Sequence, residues 1–223
     1  AYQLTGADFY SFGSPGATKD RKLTEVASSL TLFTVMNFGA NYTNYTDNVS
    51  NKPGVATTQQ NVYSGTFSLL LSNPLPRPSI GYSVNEAFAL GDDRGALDNL
   101  NKTVLLGLNG RVSVLNYSIS MQQSDFRDKN KEDNDLKNNT LGTNLSFEPV
   151  RGLFFNLGVS ITRTENIRKN MTAETNSLSG AINWQIIPDK LTSQIWSSYT
   201  SMLNPDPDPA RKVNKSDSNS TIE

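Results

Sequence analysis

Carboxylate clusters are the only groups of side chains in this sequence whose spacing suggests chemistry. Asp92 and Asp93 are adjacent, and Glu132, Asp133 and Asp135 fall within four positions of one another. Carboxylate oxygens are the ligands that Ca²⁺ prefers, but neither cluster has the regular spacing of a known calcium loop. Polar, charged surroundings favour solvated loops instead. We therefore predict no metal site.

Two residue types are missing altogether, and their absence removes most catalytic chemistry. The 223 residues include no histidine and no cysteine. The usual general base, the commonest metal ligand and thiolate nucleophiles are therefore excluded. The sequence shows no nucleophile–base arrangement and no phosphate-binding loop. We predict that the protein is not an enzyme and that it binds no cofactor.

The charge balance also excludes a class of partner. The chain has 20 basic and 21 acidic residues, for a net charge of −1. Nucleic-acid-binding domains carry a clear excess of basic residues. We predict that the protein does not bind nucleic acid.

Apolar and polar residues alternate along much of the chain with a period of two, which is typical of β-strands with two different faces. The clearest case is residues 153–162. From it and the neighbouring segments we predict two sets of facing residues. The predicted lipid-facing set is Leu145, Phe147, Leu153, Phe155, Leu157, Val159, Ile161, Ile182 and Trp184. The predicted lumen-facing set is Asn144, Ser146, Asn156, Ser160, Thr162, Asn183 and Gln185.

The same pattern predicts about eleven strands, separated alternately by tight turns and long polar loops. The strands are predicted at 1–10, 24–34, 36–47, 60–71, 79–90, 99–109, 111–123, 138–148, 152–164, 176–186 and 190–202. Tight turns are predicted around 34–35, 72–78, Asn109-Gly110, 148–152 and 187–189. Short turns on one side and longer loops on the other are typical of transmembrane barrels.

The distribution of charge supports a membrane location. Six segments contain no Asp, Glu, Lys or Arg: 26–46, 112–124, 138–147, 152–162, 175–188 and 191–205. A charge on a lipid-facing strand is destabilising, whereas a soluble sheet is free to carry Lys and Glu on its outer face. We predict an all-β fold, an antiparallel up-and-down transmembrane β-barrel.

An odd number of strands implies that the barrel has further strands. Eleven antiparallel strands would leave the first and last on opposite sides of the membrane, and bacterial single-chain barrels have even strand counts. We therefore expect the chain to be a fragment of a larger barrel. Residues 1–203 are predicted to form the hairpin array, and residues 204–223, which are polar and begin with a Pro/Asp repeat, are predicted to be a loop or tail.

Two strand–turn–strand units, at residues 145–153 and 184–191, resemble the periplasmic turns of large proteobacterial outer-membrane barrels. In particular, they look like the barrel component of porin–cytochrome complexes, which sheathes a multihaem cytochrome. The resemblance implies a protein partner in the lumen or periplasm that would hold any redox cofactor. This sequence itself lacks a haem-binding Cys-x-x-Cys-His motif.

These observations favour a barrel in the bacterial outer membrane, in contact with the lipid bilayer. It would act as a passive channel for neutral solutes or as a sheath for a partner protein, because the predicted lumen face carries no charge. The alternative is a soluble or cell-surface β-sheet adhesin or structural protein, in which the apolar face would pack against another sheet.

Overall fold

The computed structural model describes residues 2–5, 21–50, 56–90, 97–187, 191–204 and 213–222. They form one twelve-stranded sheet in which each strand pairs antiparallel with its neighbours in chain order. The strands are β1 Tyr2–Thr5, β2 Arg21–Leu32, β3 Met36–Asp47, β4 Thr58–Leu69, β5 Arg77–Ala89, β6 Asp98–Val112, β7 Leu115–Asp128, β8 Leu136–Val150, β9 Leu153–Asn166, β10 Met171–Ile187, β11 Leu191–Asn204 and β12 Val213–Ile222. A short 3-10 helix, Glu132–Asn134, lies between β7 and β8. Within the described ranges, no helix is long and apolar enough to span a membrane.

The fold class predicted from the sequence is confirmed, with one more strand than expected. Strand β12 lies within residues 204–223, which were predicted to be a polar loop or tail, so that prediction is wrong for residues 213–222. The segment reads VNKSDSNSTI and lacks the apolar alternation that identifies the other strands. With twelve antiparallel strands, β1 and β12 run in opposite directions. The first and last strands therefore do not end on opposite sides of the membrane, as eleven strands would require.

Connections of two to seven residues lie at one end of the sheet, which we call the tight-turn end. Four of these lie entirely within the described residues: 33–35, 70–76, 113–114 and 151–152. The opposite end, which we call the long-loop end, carries the connection that contains the 3-10 helix and the connection 167–170. The other connections at this end lie partly or wholly outside the described residues. The predicted loops at 124–137 and 165–175 are shorter in the structure, because β7, β8, β9 and β10 extend into them.

The turn predicted at Asn109-Gly110 is wrong, because both residues lie inside β6. The turn is at Ser113-Val114, where Ser113 adopts a positive φ of 55°. Gly110 is instead the cross-strand partner of Tyr117, whose ring occupies the space where a β-carbon at residue 110 would lie. The glycine serves packing and not a change of chain direction.

This packing predicts a large difference between two glycines on the same face of the sheet. Gly110→Ala should destabilise the fold by about 1–3 kcal/mol, because its methyl group would clash with the Tyr117 ring. Gly65→Ala is the matched control, since a β-carbon there has no atom nearer than 4.0 Å. The measurement is the urea midpoint of unfolding in lipid vesicles. Equal midpoints for the two variants would contradict this account of the turn.

The strand register shifts steadily across the sheet, as it does in a tilted barrel wall. One row of cross-strand partners runs through Leu30, Phe38, Phe67, Ile80, Leu106, Met121, Leu141, Ile161 and Asn176. Leu30 lies two residues from the end of β2, whereas Asn176 lies eleven residues from the end of β10. The shift is about one residue per strand, which corresponds to a strand tilt of about 35°.

No second layer covers either face of the sheet in the part of the chain that the structure describes. No large side chain is fully buried there, and the only buried hydrophobic residue is Ala89. More than thirty large hydrophobic side chains are exposed. This arrangement differs from that of a soluble domain, whose apolar side chains pack into a core.

Candidate functional site

The register sorts side chains onto two faces of opposite character, because cross-strand partners point to the same side of a sheet. The nine residues predicted to face lipid share one face, which we call the apolar face. For example, Phe155 lies opposite Phe147 and Ile182. The seven residues predicted to face the lumen share the other, polar face, where Asn156 lies opposite Ser146. Which face meets lipid stays a prediction.

The most distinctive feature of the polar face is a row of partners that crosses six strands near the tight-turn end. From β11 to β6 the row contains Trp196, Ala181, Asn156, Ser146, Asn116 and Arg111. The next row toward the long loops contains Ser198, Ser179, Gly158, Asn144, Ser118, Asn109 and Arg77. We call the groove along these two rows the polar trough.

Two adjoining cavities occupy the polar trough. One of about 430 Å³ lies beside Trp196, and one of about 440 Å³ lies toward Arg111, Glu148 and Phe154. Asn116, Ser146 and Asn156 line both cavities and lie between them. The floor includes Gly158, where an added β-carbon would lie 2.6 Å from Ser179 Oγ and 3.0 Å from Asn144 Oδ1. A larger side chain at this position would therefore displace both polar groups.

The polar face differs between its two ends in how its polar side chains are paired. Toward the long loops they bond to one another: Gln60 Nε2 donates to Asn85 Oδ1 at 3.0 Å, and Ser124 Oγ donates to Asn101 Oδ1 at 2.7 Å. Thr140 and Thr162 are joined by a 3.2 Å hydrogen bond between their hydroxyls. Among the described residues, the amides of Asn116, Asn144 and Asn156 make no side-chain hydrogen bond, and all three are exposed. The polar trough thus holds hydrogen-bonding capacity that the protein itself does not use.

Aromatic residues occupy both faces. On the apolar face, Phe147 and Phe155 stack with ring centroids 4.7 Å apart, and Tyr42 and Tyr63 lie 5.0 Å apart. Phe154 and Trp196, by contrast, lie on the polar face, opposite Asn183 and Ala181 respectively. In the predicted orientation, with the apolar face toward lipid, these two rings face away from the bilayer.

The acidic residues at 132–135 form hydrogen bonds and ion pairs at the long-loop end. Asp135, whose side chain is 6% exposed, accepts hydrogen bonds from Arg127 Nη1 at 3.1 Å and from the Asp128 backbone N–H at 3.0 Å. Glu132 forms an ion pair with Arg168. In the described ranges, no group of three or more potential ligands could hold a metal ion. Asp92 and Asp93 lie outside the described residues.

Hydrogen bonds from Asn134 and from two backbone N–H groups lower the pKa of Asp128 below its ordinary value of 3.8. The pKa of Arg127 is raised, chiefly by its hydrogen bonds to Asp125 and Asp135. Because the Asp128 pKa is lowered on folding, its contribution to loop stability is present at neutral pH. That contribution is lost only as the pH falls through the lowered value.

The fold matches solved structures of outer-membrane barrels. One is the ferric-catecholate import receptor Fiu from E. coli K12, with a TM-score of 0.56 and 11% identity over 91% of this chain and 49% of that chain. Another is an anion-selective porin from Comamonas acidovorans, with a TM-score of 0.55 and 16% identity over 89% of this chain and 57% of that chain. The chain thus spans about half the length of these structures. No protein-family model and no curated protein matches the sequence. The chain has the fold of a porin-like outer-membrane β-barrel.

Proposed function

We propose that this chain forms part of the wall of an outer-membrane channel that passively conducts small neutral solutes. The observation that carries the proposal is the polar face, where Asn, Ser, Thr and Gly follow one another across adjacent strands without charge in the central part of the wall. A pore lined in this way offers water-like hydrogen bonding and no ring of charge to select ions. The two structural neighbours, a receptor and a porin, support a transport role in general.

The apolar face supports the same location. Leu141, Leu157, Val159 and Ile161 are each more than two-fifths exposed, and no layer in the described part of the chain covers them. A continuous apolar surface of this size is much larger than soluble monomers expose. Hydrocarbon provides the required cover and demands the fully hydrogen-bonded backbone that a closed barrel supplies. The adhesin alternative would need a second sheet from outside the described residues.

Single cysteines test the channel directly, because this sequence contains none. Ser160→Cys on the polar face and Val159→Cys on the apolar face are adjacent in β9 and form a matched pair. We expect a water-soluble cationic thiosulfonate to label Ser160→Cys rapidly in proteoliposomes and to change its single-channel conductance. Val159→Cys should be labelled far more slowly. Equal labelling of both positions would contradict the assignment of the faces.

The sheath role suggested by the resemblance to porin–cytochrome barrels differs in its electrical behaviour. A barrel filled by a partner protein should show little conductance until the partner is removed, and its polar face should resist labelling in the assembled complex. An open channel should conduct without any partner. Bilayer recordings of the full-length protein, before and after high-salt washing to strip associated proteins, distinguish the two.

A further inference from the structure

We propose that the polar trough binds a neutral oligosaccharide, with the Trp196 indole as its principal contact. This inference rests on the proposed function, because it requires the polar face to line the water-filled side of the barrel. It adds a ligand class and a defined binding position to an otherwise passive channel.

The hydrogen-bonding groups of the trough match hydroxyl-rich ligands. A side-chain amide offers two donors and one acceptor, and a sugar hydroxyl is both donor and acceptor, so each can satisfy the other. Asn116, Asn144 and Asn156 are exposed and have no partners of their own among the described residues. The cavity beside Trp196 is lined by no charged side chain, so the geometry favours a neutral ligand over an ionic one.

The aromatic residues account for the choice of a sugar over other polar molecules. A pyranose ring presents C–H groups on its faces and hydroxyls around its edge, so an aromatic ring can pack on the face while amides bind the edge. Trp196 lies on β11 and Phe154 on β9. The residue of β9 in the same row as Trp196 is Asn156, which is two positions along the strand from Phe154. This offset places their backbones about 12 Å apart. Such a separation exceeds one sugar ring and indicates a short chain of sugars.

Small residues leave space beside the indole. Ala181 is the cross-strand partner of Trp196, and Gly158 lies one strand further along, in the neighbouring row. At the opposite end, Arg111 Nε donates to the Ser113 carbonyl at 3.0 Å, and Arg77 Nε donates to the Leu71 carbonyl at 2.7 Å. These bonds hold both guanidinium groups against the tight turns. The uncharged part of the trough therefore remains open to the ligand.

The experiment uses the full-length protein in planar bilayers, with maltohexaose as the probe and polyethylene glycol of similar length as the size control. We expect maltohexaose to interrupt the current in a saturable manner and polyethylene glycol to cause no saturable block. Trp196→Ala should weaken the apparent affinity about tenfold or more, since an aromatic contact is removed. Trp184→Ala, which removes the other tryptophan of the chain from the apolar face, should leave the affinity unchanged.

A second readout does not depend on conductance. In the Trp184→Phe variant, Trp196 is the only tryptophan of this sequence. With any tryptophan outside this sequence also replaced by Phe, the emission should change with maltohexaose concentration at the same midpoint as the current block. Saturable binding that is weakened in Trp196→Ala and unchanged in Trp184→Ala supports the proposal. Suppose that the protein conducts and that Ser160→Cys is labelled in water. If maltohexaose then gives no saturable response, or polyethylene glycol gives an equal one, the oligosaccharide proposal is wrong and the channel function stands. Failure of Ser160→Cys to label in water would overturn the channel function itself.

Discussion

Replacing Leu157 with arginine is expected to destabilise the membrane-inserted protein by about 2–4 kcal/mol, which is the cost of a lipid-facing Arg near the bilayer midplane. Leu157 lies in the middle of the β9 apolar stripe, between Leu145 on β8 and Gly180 on β10, and it is 45% exposed. Neither neighbour offers a counter-charge. The measurement is the urea dependence of folding in vesicles. The folded fraction is determined from the difference in gel migration between heated and unheated samples.

The adjacent residue provides the control for this prediction. Asn156→Arg places the same charge one position away, on the polar face, where water would solvate it. We expect a change in folding free energy close to zero and, in bilayer recordings, a shift of ion selectivity toward anions. Two equally destabilised variants would mean that the Leu157 side of the sheet does not face hydrocarbon.

The two tryptophans should respond to opposite classes of fluorescence quencher. Trp184 is on the apolar face opposite Leu153, and Trp196 is on the polar face opposite Ala181. Trp196→Phe leaves only Trp184, whose emission should be strongly quenched by lipids with brominated acyl chains and weakly by acrylamide. Trp184→Phe leaves only Trp196, for which the order should reverse.

Each single-tryptophan variant is the control for the other, because both replace one Trp by Phe in the β10–β11 hairpin: Trp184 lies in β10 and Trp196 in β11. A blue-shifted emission is expected for Trp184 in hydrocarbon and a red-shifted one for Trp196 in water. If brominated lipid quenched both variants equally, Trp196 would lie at the lipid surface, and both the trough and the channel would have to be abandoned.

The strands with regular alternation were predictable from the sequence, and the reason is physical. Strand β9 was predicted at 152–164 and spans Leu153–Asn166, because one face must be apolar and the other polar along its whole length. Strand β12 carries no such requirement in its sequence, and only its pairing with β11 identifies it. A strand that is stabilised mainly by pairing with its neighbour cannot be predicted from its own sequence pattern.

The residues of the polar trough likewise could be only partly predicted from the sequence. Alternation predicts that Asn144 and Ser146 share a face with Asn156, but it cannot show that Trp196 lies in the same row as Asn156. That fact depends on the register of three strands. Likewise, Asn109-Gly110 has the composition of a turn, and only the position of Tyr117 explains why the strand continues through it. Register is a long-range property, whereas turn propensity is local.

The free edges of the sheet constrain how this protein can assemble. Among the described residues, β1 and β12 are not paired with each other, and the ten-residue β12 leaves one side of its backbone without partners. Roughly half of its N–H and C=O groups would enter hydrocarbon unsatisfied, at several kcal/mol each. Insertion before edge-to-edge joining is therefore prohibitively costly. The seam must close, with itself or with additional strands, in the same step that moves the wall out of water.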